Sequence, residues 1–271
     1  MVNLGPILDH VPAWLMVLFR LTGIFLLAPM FGSQTIPRIV KVFLVVGLSL
    51  CIYPMLLSTG HAAAGSLGGV VENGLSLWTL GVLVAMELLM GYVIGYVASL
   101  PLIGMQIGGQ VIDQQMGISA GGVFNPDLDA EAGVIGQVFF LSGLTIFLII
   151  GGHQALLLTL VGSFERVPLG GFGVVGVDMN AALGLVLGIL TVIFDMALRV
   201  AAPLLCILFL LRVAMGFIGR TVPQMNILSV GFIFYILAGL VTLVVGIATV
   251  LTVFRKTMFE TLQQIMVIFT M

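Results

Sequence analysis

Charge is what this sequence has least of. Of its 271 residues only 7% are Asp, Glu, Lys or Arg, against about 25% in an ordinary soluble domain, while 61% are hydrophobic and the mean hydropathy is +1.29. A water-soluble globule is excluded. The 9 basic and 11 acidic residues leave a net charge of -2, which provides no electrostatic footprint for nucleic acid. Cysteine is almost missing: Cys51 and Cys206 lie in apolar runs with no partner at metal-ligand spacing, and they read as small buried hydrophobes. The three histidines, His10, His61 and His153, stand far apart with no Cys or acid at ligand spacing, so the pattern holds no metal site. His153, in GGHQALL, reads as a hydrogen-bonded packing residue. Nucleophile elbow, zinc-protease motif and phosphate loop are all lacking, so neither catalysis nor a cofactor is expected. The start, MVNLGPILDH, lacks the basic n-region of a signal peptide, and the first apolar run is expected to stay in the mature protein.

What the chain has instead is apolar runs. Six of them, at about 12–30, 40–58, 75–103, 133–161, 180–211 and 227–253, approach the roughly 20 residues needed to cross a bilayer core. The expected fold is therefore all-α, a polytopic membrane protein of helical hairpins. Turn chemistry fills the connections: GSQTIPR, a Gly/Ala/Ser stretch from Gly60 to Gly74, and ERVPLGGFGVVGVD. Pro203 is expected to kink the fifth segment, and the end, RKTMFETLQQIMVIFTM, to form an amphipathic tail helix. Arg38 with Lys41, and Arg212 with Arg220, mark the first and fifth connections as cytoplasmic. That agrees with six crossings and both termini outside, although Arg255 and Lys256 argue against it.

Several patterns imitate chemistry. Gly171 to Gly176 reads GFGVVG, a dinucleotide-like GxGxxG with Asp195 about 20 residues on, but membrane-length flanks replace the βαβ unit that motif needs; a flexible loop capped by Asp178 is the plainer reading. Asp127, Asp129 and Glu131 alternate like calcium ligands, yet the other ligand positions are missing. They fit a helix start after Asn125-Pro126. Ionisable groups inside the apolar runs say more, because such charges are costly and face protein or water. They are Arg20, Glu87, Asp113, Asp195, Arg199 and Arg212. Asp195 and Arg199 stand at i and i+4, as a self-neutralised pair would. Glu87 has no partner on its own helix, so it either pairs with Arg20 or serves as a proton-coupling carboxylate, the pair being preferred. Small-xxx-small spacing at Gly91 and Gly95, Gly104 and Gly108, and Gly184 and Gly188 marks close helix packing; 35 glycines and 15 methionines suit a chain whose surface meets other helices.

Residues 104–126, GMQIGGQVIDQQMGISAGGVFNP, place four glutamines, an aspartate and many glycines between two apolar runs. Unsatisfied buried polar groups cost roughly 2–7 kcal/mol each, so these side chains must line water or bind backbone. Gly117, Gly121 and Gly122 supply a permissive backbone. The stretch from 104 to 132 reads as a polar loop, with a plain linker as the alternative.

Taken in order, RLTGIFLLAPMFGSQTIPRIVK from Arg20, GGQVIDQQMG from Gly108, Asn125-Pro126, GGHQ from Gly151 and RVAMGFIGRTVPQMN from Arg212 resemble the FliR family of flagellar biosynthetic proteins and its injectisome counterparts. The resemblance runs through nearly the whole chain, with Pro223, Gln224 and Asn226 after Arg220 its most telling part. It implies a subunit of the type III protein export gate in the bacterial inner membrane, within the flagellar basal body, assembled with FliP and FliQ subunits and passing unfolded proteins. It further implies that residues 1–179 are FliP-like, that 180–271 form a FliQ-like hairpin and tail, and that some membrane-length helices are lifted out of the bilayer. The 104–126 segment would then plug the channel, with Met116, Ile118 and Phe124 sealing it and Gln110, Asp113, Gln114 and Gln115 fixing it closed; Gln106, Gly109, Gly117 and Asn125 belong to the same segment. An injectisome gate is one alternative. A stand-alone ion-coupled transporter is the other, with Glu87 and Asp195 as proton sites, although the sequence shows no two-fold repeat.

Overall fold

The computed structural model describes residues 5–32, 36–58, 77–118, 133–169, 179–221 and 227–270. An apolar medium forces backbone N–H and C=O groups to find partners within the chain, and helices satisfy them locally. Among the described residues seven are formed: α1 (Gly5–Leu27), α2 (Arg38–Ser58), α3 (Leu77–Met116), α4 (Val134–Ile149), α5 (Gly152–Arg166), α6 (Met179–Thr221) and α7 (Ile227–Thr270). Among the described residues there is no strand. Five of these described helices are long and apolar enough to cross a membrane, and α4 with α5 supply a sixth span if taken together.

Helix lengths depart from the sequence reading in an instructive way. α3, α6 and α7 have 40, 43 and 44 residues, which at 1.5 Å per residue is about 60 Å or more each. A hydrocarbon core is about 30 Å thick, so much of each helix lies beyond it or is sheathed by protein. The expected tail helix is the continuation of α7, with Met258, Thr261, Leu262 and Ile265 buried along one face. The run 133–161, read as one segment, is instead broken where Gly151 adopts a left-handed φ of +74°. The stretch after Ile103, expected as a loop, continues α3 as helix to Met116; packing of its glycines outweighs their poor helix propensity.

The chain forms two compact units that interleave along the sequence: residues 1–99, 151–185 and 259–271, and residues 100–150 and 186–258. In the first, Met16, Val17, Leu21 and Ile24 of α1 are buried, as are Met90, Ile94 and Ala98 of α3 and Leu160 and Phe164 of α5. α1 and α3 approach to backbone contact: a Cβ at Gly91 would overlap the Arg20 carbonyl oxygen, and one at Gly95 would lie 2.8 Å from that of Ile24. In the second unit the core comprises Met105, Ile112, Phe139, Phe147, Met196, Leu204 and Phe254. Gly104 and Gly108 of α3 face the carbonyls of Ile193 and Ala197 on α6 at 2.8 and 2.9 Å from a built Cβ, and Gly109 faces Gly136 of α4.

Gly184 and Gly188 behave differently, because a Cβ at either meets nothing within 4 Å among the described residues. Cys51 and Cys206, expected to be buried, are exposed; they sit on helix faces that the described residues leave uncovered. Uncovered helix surface is strongly apolar, as Phe43 of α2 at 74% and Val245 of α7 at 78% exposure illustrate, which is the signature of surface reserved for lipid or a partner.

Gly91→Leu is therefore expected to destabilise the isolated chain, by about 1–3 kcal/mol or more as for an overpacked core, and to lower its melting temperature in detergent. Gly188→Leu should leave that melt unchanged. Equal melts for the two variants would contradict the distinction between internal and open glycines.

Candidate gate segment and its anchors

α1 buries its one arginine completely. Arg20 is 0% exposed and spends all three guanidinium nitrogens within the first compact unit. Nε donates to Glu87 of α3 at 2.5 Å, Nη1 to the Ser163 hydroxyl of α5 at 3.1 Å, and Nη2 to the Val167 carbonyl just past α5 at 3.0 Å. Its charge also lies 4.1 Å from the Phe164 ring centre. Of the two readings of Glu87, the structure forms the ion pair. Removing one partner of such a buried pair costs roughly 3–5 kcal/mol, because the other charge is left stranded. Here the pair also fixes which turn of α1 meets which turn of α3, next to the Gly91 contact.

The second unit is organised around Asp113, which is 0% exposed near the end of α3. Its carboxylate accepts the backbone N–H of Ile135 at 3.0 Å and of Gly136 at 3.1 Å. These belong to the first turn of α4, whose own N-cap, Gly133, makes no side-chain cap. An acid from another helix thus satisfies the free donors and complements the positive dipole end. Glycine at 133 is required, since a Cβ there would overlap the Asp113 carboxylate. The same residue also ends α3: its carbonyl accepts Ile118 N–H at 3.1 Å while Gln114 accepts Gly117 N–H at 3.2 Å. With Gly117 at φ +81°, this is a Schellman C-cap. Gly117 is accordingly a helix stop rather than simply a mobile point.

Further contacts lock this helix end. Arg212 of α6 donates to the Gln115 carbonyl at 2.9 Å and lies 5.5 Å from the Tyr235 ring of α7. Met116 is fully buried and lies against Gly239 of α7, where a Cβ would come within 2.6 Å of its sulfur; Phe232 faces Gly117. Gln110 packs its Cγ on Gly136. Gln106, Gln110 and Gln115 are half-buried and Gln114 is exposed; Ile118 is half-buried. The roles of Arg212, Phe232, Tyr235 and Gly239 at this helix end were not read from the sequence. A basic residue on α6 gives no sign of which distant carbonyl it will cap; glycine followed by an apolar residue is the signal that could have found the Gly117-Ile118 stop, but the segment reads as a loop.

The remaining candidates separate. Asp195 and Arg199 form their i,i+4 pair at 2.7 Å with both side chains about half exposed. Arg220 is exposed in the last turn of α6, where a cation suits the dipole. Phe124, Asn125, Pro223, Gln224 and Asn226 lie outside the described residues, as do the GFGVVG motif, Asp178, His61 and the Asp127-Asp129-Glu131 set. His10 Nδ1 and the Tyr53 hydroxyl are 2.9 Å apart. His153 Nδ1 is buried without a hydrogen-bond partner among the described residues; its place follows from the helix entry at Gly151. Among the described residues no cluster of His, Cys, Asp or Glu is arranged to hold a metal.

Long apolar helices packed through glycines and a buried ion pair, with polar side chains committed to helix ends, define a polytopic all-α membrane protein. Residues 11–261 match the family described as bacterial export proteins, family 1, and the chain belongs to it. It is 27% identical to the flagellar biosynthetic protein FliR of Bacillus subtilis (strain 168) over 261 residues, 96% of this chain and 95% of the relative. It is also 27% identical to FliR of Escherichia coli (strain K12), covering 79% of this chain and 76% of the relative. Yop proteins translocation protein T of Yersinia pestis is 24% identical over 78% of this chain and 77% of its own.

Asp113→Ala is expected to cost about 1.5–3 kcal/mol, the range for hydrogen bonds to a charged group. Amide exchange at Ile135 and Gly136 should accelerate while that of the Arg20 cluster stays slow. Unchanged protection at the start of α4 would contradict the anchoring role.

Proposed function

We infer that this chain is a subunit of a flagellar type III protein export gate, one that helps to build the channel for unfolded flagellar proteins and closes it with the segment 104–126. Family membership across residues 11–261 carries this reading, and the relatives named for flagellar biosynthesis and for Yop translocation place both kinds of type III system among its kin. The geometry adds a reason for the segment's role. Its first half is a helix whose end is held by Asp113, Arg212 and Met116, so the residues that follow leave from a fixed point. A plug needs that: enough restraint to stop ion leakage, and a terminus from which an entering chain can displace it.

The work assigned to the subunit is structural rather than catalytic. Its partners are FliP-like and FliQ-like subunits in the bacterial inner membrane, residues 1–179 corresponding to the former and 180–271 to the latter. The open surroundings of Gly184 and Gly188, and helices about twice as long as a bilayer core is thick, support a chain completed by neighbouring helices. The injectisome reading draws support from the Yersinia relative at 24% identity, and the flagellar one is preferred on the two FliR relatives at 27%.

Deleting Gly117 to Gly122 is expected to leave assembly with partner subunits largely intact while making producing cells leaky, seen as slowed growth and a lowered membrane potential. Gln115→Ala should leak less, because Arg212 is bonded to the backbone carbonyl at that position rather than to its side chain. An assembled deletion complex as tight as the parent would return this stretch to the status of a connector.

A further inference from the structure

Within the first compact unit, α1 and α2 are separated by a groove of about 410 Å³, inside the roughly 300–1,000 Å³ typical of small-ligand sites. Its walls are apolar, formed by Leu18 and Phe25 of α1 and Val45 of α2. Thr22 also lines it, but its hydroxyl is already bonded to the Leu18 carbonyl at 2.7 Å, so the wall gives a ligand little polar purchase. Positive charge is brought to the same groove by Arg38 and Lys41, which line it from the first turn of α2. Among the described residues no acid lines it.

Charge and position together select the occupant. Arg38 and Lys41 are the only ionisable charges in α2, and the other 17 residues after Lys41 run without one to Ser58, so both cations sit at one membrane surface. Pro37 takes the N–H groups of Val40 and Lys41, and the positive end of the α2 dipole adds to the same potential. Ile39 and Phe43, on the neighbouring face, are 70% and 74% exposed, so the groove opens on surface suited to hydrocarbon. A molecule complementary to this must be anionic at one end and a hydrocarbon chain at the other.

We propose that the groove binds an anionic phospholipid of the surrounding bilayer, with its phosphate at Arg38 and Lys41 and one acyl chain against Leu18, Phe25 and Val45. Juxtamembrane cations are the known attractors of such headgroups, each contributing roughly a fivefold gain in affinity. The site ties α1 to α2 through a lipid on the side that the short-loop cations mark as cytoplasmic. It does not depend on the export reading, only on the chain lying in a membrane.

The full chain, delipidated in detergent, would be titrated with dioleoylphosphatidylglycerol, with dioleoylphosphatidylcholine and with inorganic phosphate, and occupancy read by native mass spectrometry. Phosphatidylglycerol should fill one saturable site that millimolar phosphate does not displace, with phosphatidylcholine several-fold weaker. Arg38→Gln and Lys41→Gln should each weaken phosphatidylglycerol about fivefold and together about 20-fold or more, whereas Arg38→Lys should retain most of it. Val45→Trp should block binding with both cations present; should that variant fail to fold, the charge series at the exposed helix start decides the matter. Equal binding of the two lipids, insensitivity to the double change, or displacement by phosphate alone would overturn the proposal. So would a cysteine at Val42 that, in the assembled complex, cross-links to a partner helix while phosphatidylglycerol occupancy is lost.

Discussion

Asp113 is the point on which the second compact unit turns. Helix ends in an apolar protein leave backbone groups that water cannot reach, and each must be given a partner. This residue answers for two ends at once: its carbonyl closes the cap that stops α3, and its carboxylate receives the first N–H groups of α4. Residues 118 and 133 are thereby fixed to the same anchor, whatever the chain does between them. Gly133 and Gly136 follow from that choice, since the carboxylate and the close α3–α4 approach leave no room for a side chain. Met116 and Arg212 then bind the same helix end to α7 and α6.

The first unit solves the corresponding problem with a cation. Arg20 reaches Glu87, Ser163 and Val167, joining α1 to α3 and to the end of α5 beside the glycine crossing at Gly91. Buried pairs of this kind add little net stability compared with a hydrophobic replacement. Their effect is on register: sliding α1 by one turn would pull Arg20 away from Glu87, Ser163 and Val167 together. Apolar side chains could tolerate such a slip, because the leucines and methionines around them pack in many ways.

Much of this was legible in the sequence because it rests on spacing. Apolar runs gave the helices, the lone charges Arg20 and Glu87 pointed to each other, and Gly91 and Gly95 marked a crossing. Other features depend on neighbours far along the chain. The polar stretch after Ile103 looked like a loop, since glutamine and glycine are common in loops; in the fold its glycines are the contact face toward α4 and α6, and the helix continues. In the apolar run 133–161 the break at Gly151 was signalled only by the Gly151-Gly152 dipeptide, which reads as part of one continuous segment; one left-handed residue suffices. Gly184 and Gly188 share the spacing of Gly91 and Gly95, yet among the described residues they face open space. Spacing marks a surface able to pack closely but cannot say whether the partner is the same molecule. Cys51 and Cys206 fall to the same ambiguity, being apolar enough for a core and placed on uncovered faces.

In the proposed gate the end of α3 is the fixed edge of the export path, from which the closing segment departs. Its most direct test is a photo-activatable residue placed at Ile118 in an otherwise native export apparatus, with a flagellar substrate stalled during passage by a folded fusion. Cross-links from Ile118 to the stalled substrate, replaced by cross-links within the gate when no substrate is present, are the predicted result. Cross-links to lipid in both states, with none to substrate, would contradict the claim that this helix end borders the channel.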